Sequence, residues 1–186
     1  RPPRSTLFPY TTLFRSLVNA IVPAYDVDGN MLTNGNWTYT WNGENRLTSA
    51  TDGTTTLNFK YDYAGRRVEK AVAGGETKRF VYDGFKMVEC LDGGNDNALL
   101  QTYHWQANTL WLDVPLCTRD VSNAATYYYF TDANKNVSEL MTSGGAIAAH
   151  YEYSPFGMQT AASGSYAAAN RSEEHTSELQ SRSDLV

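Results

Sequence analysis

Two stretches carry carboxylates and amides at the spacing of a calcium loop: Asp26-x-Asp28-x-Asn30 and Asp132-x-Asn134-x-Asn136. Such a loop needs glycine at the sixth position, for its sharp turn, and a bidentate glutamate at the twelfth. Met31 and Val137 stand at the sixth positions, Trp37 and Ser143 at the twelfth. Turn-capping Asx residues explain both stretches better, and no metal or cofactor is expected. His104 and His150 have no Cys, Asp or Glu at the spacing of a zinc site. Neither a Gly-x-Ser-x-Gly elbow nor a phosphate loop occurs. With no nucleophile and base to pair, the chain is expected not to be an enzyme. Cys90 and Cys117 are either a disulfide or two small buried hydrophobes, and spacing alone does not choose.

The residues with the strongest pattern are aromatic. Trp37, Tyr39 and Trp41 alternate with Thr38 and Thr40, and Leu57, Phe59, Tyr61 and Tyr63 alternate with Asn58, Lys60 and Asp62. Tyr151 and Tyr153 flank Glu152. Period-two patterning of this composition describes strands with one buried face. Turn chemistry separates the runs: Asn34-Gly35, Asn42-Gly43, Asp52-Gly53, Gly74-Gly75, Asp92-Gly93-Gly94 and Gly144-Gly145. Glycine, or Asn or Asp before it, supplies the positive φ of tight hairpins. The expected fold is all-β, an antiparallel hairpin meander with little helix. The segment 161–170 lacks an apolar stripe and reads as loop or a short frayed turn. Trp37, Trp105 and Trp111 allow an alternative, an exposed platform on which sugar rings stack. Their alternation with polar residues favours packing on an inner wall.

One phrase recurs through these strands. It reads Tyr25-Asp26-x-x-Gly29, Trp41-Asn42, Tyr61-Asp62-x-x-Gly65 and Tyr82-Asp83-Gly84, with a looser copy at Tyr103-His104. The starts lie 16, 20, 21 and 21 residues apart, a period that marks a repeat architecture. The aromatic puts a ring on the sheet's inner face, burial of which stabilises by roughly 2–3 kcal/mol. The Asp or Asn accepts main-chain N–H groups as the chain turns, and Gly at the fifth position permits the reversal.

The phrase resembles the repeat of the RHS/YD-repeat proteins. The segment from Tyr127 through Tyr129 and Asp132 to Leu140 is similar to the start of the RHS-associated core. His150-Tyr151-Glu152-Tyr153-Ser154-Pro155-Phe156-Gly157 continues it, with Ser154 where that family often has Asp. The resemblance covers about residues 24–170. It implies a β-ribbon coiled into a shell around a C-terminal toxin or effector, in proteins that are secreted or displayed on the cell surface. Its expected partners are the rest of that shell and the enclosed effector, with cell-surface carbohydrate as the alternative. The family's core normally ends in an Asp-Pro-x-Gly self-cleavage motif. No Asp-Pro pair occurs in this chain, so no catalytic residue carries over.

The two ends stand outside the pattern. Residues 1–16 and 171–186 resemble translated short-read sequencing adapter, with 1–16, 171–181 and 184–186 matching its codons and Arg182 and Ser183 spanning the index. They are expected to be artefact, disordered or, at the second end, a short helix, and residues 17–170 an internal core fragment. The flanks hold five basic residues (Arg1, Arg4, Arg15, Arg171, Arg182) and four acidic ones (Glu173, Glu174, Glu178, Asp184). Setting them aside takes the chain's 15 basic and 20 acidic residues to 10 and 16, a net charge of −6. Nucleic acid and anionic membranes both need a basic face, so neither is expected as a partner. No apolar run approaches the ~20 residues of a bilayer span.

Overall fold

The computed structural model describes residues 22–107, 114–155 and 157–170. Every element among them is a strand, and the chain divides into two compact units, Arg1–Thr56 and Leu57–Val186. In the first unit β1 (Ala24–Tyr25), β2 (Met31–Asn34), β3 (Trp37–Trp41) and β4 (Leu47–Thr51) pair antiparallel in chain order. The alternation read from β3 holds: Tyr39 is buried against fully buried Ala50, its cross-strand partner, while Thr38 and Thr40 are exposed. Trp37 and Trp41 share the face of Tyr39 and are half-buried.

The second unit is itself a meander. Its strands are β5 (Thr56–Tyr61), β6 (Arg67–Val72), β7 (Thr77–Asp83), β8 (Lys86–Asp92), β9 (Ala98–Trp105), β10 (Pro115–Asp120), β11 (Ala125–Thr131), β12 (Val137–Thr142), β13 (Ile147–Tyr153) and β14 (Gln159–Ser163). From β6 onward each pairs antiparallel with the one before it. Register brings Tyr103, Thr118 and Tyr127 side by side, and beside them Tyr129, Leu140 and Ala149. All six are buried. Phe80, Met87, Cys90 and Tyr103 form one buried cluster; Tyr127, Tyr129, Leu140, Ala148, Ala149, Tyr151 and Tyr166 form the other.

Several local expectations are corrected. Tyr63 does not extend the face of Leu57 and Phe59: β5 ends at Tyr61, and Tyr63 stands in the turn, 96% exposed. Tyr25 lies on the two-residue strand β1, paired only with β2, and is exposed. The segment 161–170 is not all loop. Residues 161–163 complete β14, and the following turn sends Tyr166 into the core at 3% exposure. The turn after Asp92 is where its glycines put it, but Asp96 and Asn97 take the positive φ values, not Gly93 or Gly94. Gly93 serves packing instead, since a Cβ there would meet Thr77 Cγ2 at 2.8 Å.

Candidate functional site

The tyrosine-aspartate phrase builds one turn repeatedly. Asp26 Oδ1 accepts the N–H of Asp28 at 2.9 Å and of Asn30 at 2.8 Å. Asn42 Oδ1 accepts those of Glu44 and Arg46, both at 3.0 Å. Asp62 Oδ1 accepts those of Ala64 and Arg66, and Asp132 Oδ1 those of Asn134 and Asn136. Each of these residues also donates its own N–H to the carbonyl four residues on, closing the loop. The next-to-last turn residue must then be left-handed: Gly29 has φ +86° and Gly65 φ +85°. Asn45 and Lys135 occupy the same place at φ +58° and +70°, a strain their turns sustain through the same bonds. Gly43 takes no positive φ, so glycine's expected role in that turn passes to Asn45. Ser154 substitutes with one bond, accepting the N–H of Met158 at 3.2 Å, and Gly157 is left-handed at +81° beside exposed Pro155.

These bonds hold the carboxylates ionised. Asp26 is pulled below the usual range mainly by the Asn30 side chain, and Asp132 mainly by Asn136. At Asp62 burial acts in the opposite direction, and its bonds to Arg66 outweigh it. The carboxylates that open the two calcium-like stretches, Asp26 and Asp132, are therefore occupied by the turn's own amides. Asp83 departs from the pattern. It lies within β7 opposite Lys86, and the loop Gly84-Phe85, with Gly84 at φ +60°, closes that hairpin.

The aromatics of three copies reach back to the copy before them. Trp41 Nε1 donates to the Met31 carbonyl at 2.7 Å, Tyr82 Oη to that of Arg67 at 2.8 Å, and Trp105 Nε1 to that of Met87 at 2.7 Å. Each acceptor lies in the strand that follows the earlier turn. The fifth copy is thereby re-registered: its aromatic is Trp105, not Tyr103. Sequence spacing missed this because both residues share one face of β9. Arg66 adds a second link, donating to the Gly84 carbonyl with its guanidinium 5.1 Å from the Tyr82 ring centre. Arg67 lies 4.9 Å over Phe59, and Arg79 bonds Glu69 at 2.9 Å. These arginines are structural ties.

The tyrosines at alternate positions of β11 and β13 share the covered face. Tyr129 and Tyr151 are buried, and Tyr153 is half-buried; burial pushes the Tyr153 hydroxyl up to about 12. The sequence did not single out Tyr166. It stacks on Tyr127 at 3.8 Å, donates to Asp120 Oδ2 at 2.7 Å and accepts from Gln101 Nε2 at 2.9 Å. Burial pushes the Asp120 carboxyl up, but its bonds to Ser122, Tyr166 and Asn123 prevail and hold it low. On the other face His150 Nδ1 lies 3.1 Å from Glu139, and His104 is exposed. Cys90 and Cys117 are free thiols on opposite faces, Cys90 opposite Gln101 and Cys117 opposite His104. Trp37 and Trp105 are half-buried, with the Trp105 N–H committed to the main chain; Trp111 lies outside the described residues.

Three comparisons bear on this geometry. The family model described as "Teneurin YD-shell" matches residues 18–168. The chain is 30% identical over 140 residues to the tRNA3(Ser)-specific nuclease WapA of Bacillus spizizenii, and 29% identical over 140 residues to the tRNA nuclease WapA of Bacillus subtilis strain 168. Each match takes in 74% of this chain and 6% of the relative's length. Among solved structures, the Photorhabdus luminescens Tc holotoxin pore, carrying a TccC3 mutation, has the same fold at a TM-score of 0.53. That match is 17% identical and covers 79% of this chain and 8% of that one.

Proposed function

Because the chain belongs to the teneurin YD-shell family, we propose that residues 17–170 are a wall segment of a β-strand shell that encloses a C-terminal toxin or effector. The segment performs no chemistry of its own and works by covering what lies behind it. The rungs from Trp41, Tyr82 and Trp105 to the preceding copies support this reading, because they join copies laterally without requiring a ligand. The relatives support it: two are named as nucleases, and this chain matches only 6% of their length. The matched region is thus a small part of much larger relatives, and on this reading the activity in their names belongs to other parts of them. We further propose that the whole protein is secreted or displayed at the cell surface, and that residues 1–16 and 171–186 are adapter-derived. The half-buried rings of Trp37 and Trp105 favour wall over sugar platform.

The test begins with long reads across both junctions of the source DNA. The expected frame continues past Asn170 into a variable domain. In the full-length product that domain should resist protease while the shell is intact, and be cut when Trp41→Ala and Trp105→Ala loosen the wall. Cleavage at the rate of the isolated domain, with an intact wall, would refute enclosure. Glycan binding lost on Trp37→Ala would instead establish the carbohydrate reading.

A further inference from the structure

The segment after β14 does something the repeat does not require. Instead of forming another strand, it turns at Gly164 and lies over the covered face of β9–β13. Gly164 has φ +104°, and a Cβ there would stand 2.4 Å from the Ala148 carbonyl oxygen. Only glycine permits that close crossing. The Tyr166 N–H then donates to the same Ala148 carbonyl at 2.9 Å. Its ring stacks on Tyr127, and its hydroxyl sits between Asp120 and Gln101. Gln101 in turn accepts from Tyr103 Oη at 2.6 Å. The end of the segment is tied as well: Tyr151 Oη donates to the Ala167 carbonyl at 3.1 Å, and Tyr129 Oη to Asn170 Oδ1 at 3.2 Å.

We propose that Gly164–Asn170 is a latched strap, with Tyr166 the latch and Gly164 the hinge, which lifts the backbone off the free edge of β14 onto the covered face. Chain leaving residue 170 therefore starts from that face. Two kinds of observation carry this. One is the hydrogen-bond reach, from Tyr166 to residues 46 and 65 positions earlier. The other is the contrast in burial, since β14 is exposed throughout while Tyr166, three residues beyond it, is 3% exposed. Apart from Asn170 the strap's remaining residues are small, so its one ring is that of Tyr166, and the Tyr129 and Tyr151 hydroxyls tie its end. A segment attached through so few groups opens as a unit before the sheet beneath it does. The inference concerns β9–β14 alone and stands whether or not a cargo is enclosed.

Hydrogen exchange on the 186-residue chain tests it. In the unmodified chain the amides of Tyr166, Ala169 and Asn170 should be protected, and Tyr166→Phe should speed their exchange by roughly tenfold or more, because it removes a bond to a carboxylate. Gly164→Ala should open the strap further. In both variants the β11–β13 amides should keep their protection. Strap amides that exchange as fast as those of the exposed turn 133–135 in the unmodified chain would overturn the proposal. So would two variants that leave the strap unchanged. Loss of strap and β11–β13 together in both variants would also overturn it, showing integral core in place of a latch.

Discussion

Strands β6 and β12 are both six residues long and both lie inside the second unit, yet they are held in different ways. No residue of β6 is buried. Its Glu69 bonds Lys60 on one neighbour at 2.7 Å and Arg79 on the other at 2.9 Å. On the opposite face Lys70 stands between Phe59 and Lys78, and Lys78 pairs with Glu76 at 3.5 Å. In β12 Leu140 is fully buried between Tyr129 and Ala149, in a cluster that Tyr166 completes. At β12 the strap adds a layer, with Tyr166 packed into the cluster of Leu140. At β6 charge pairs and arginine stacking hold the strand.

The comparison can be broken most directly by core truncation. Leu140→Ala should cost about 2–5 kcal/mol, the usual range for a buried leucine, whereas half-buried Val72→Ala should cost about 1 kcal/mol. Denaturant melts of the two variants should differ accordingly, and equal losses would show that the two strands are held alike. The rungs come next. Trp105→Phe keeps most of the ring but strands the Met87 carbonyl, at about 1–2 kcal/mol, measured in the same melts. Smaller again is the turn contrast: Asp132→Ala should lower the melting temperature more than Asp83→Ala, because only Asp132 accepts turn amides.

The smallest effect separates the strands by pH. Its bond to Lys60, then that to Arg79, holds the Glu69 carboxyl below its ordinary 4.5. A carboxylate with a depressed folded value stabilises above its unfolded value, and loses that contribution as pH falls through the folded one. Protection in β5–β7 should therefore decline below pH 4.5 in the unmodified chain. In Glu69→Gln this decline should flatten, and high salt should weaken the same contribution. Exchange profiles that superimpose for the two proteins would remove Glu69 from the account.

What could be read in advance was local. The turns of Asp26, Asn42, Asp62 and Asp132 were legible because donor and acceptor lie within four residues. The β3 face was legible because period two is a local signal. Asp83 misled, since the same dipeptide serves a two-residue loop when glycine follows at once. The Trp105 register failed for the opposite reason: two aromatics two residues apart share a face, and only the partner carbonyl on another strand decides between them. Tyr166 was invisible because an alanine-rich stretch has no period, and its partners lie dozens of residues away.

The rungs have one more consequence. Trp41 reaches back to Met31, Tyr82 to Arg67 and Trp105 to Met87, whereas Tyr129 and Tyr151 reach forward to Asn170 and Ala167. A chain emerging from the ribosome thus meets each of the first three acceptors already made and already in a hairpin. Those copies can be laid down one after another, like courses of brick, while the β11–β13 cluster waits for Tyr166. For those copies the order of synthesis and the order of assembly can then coincide.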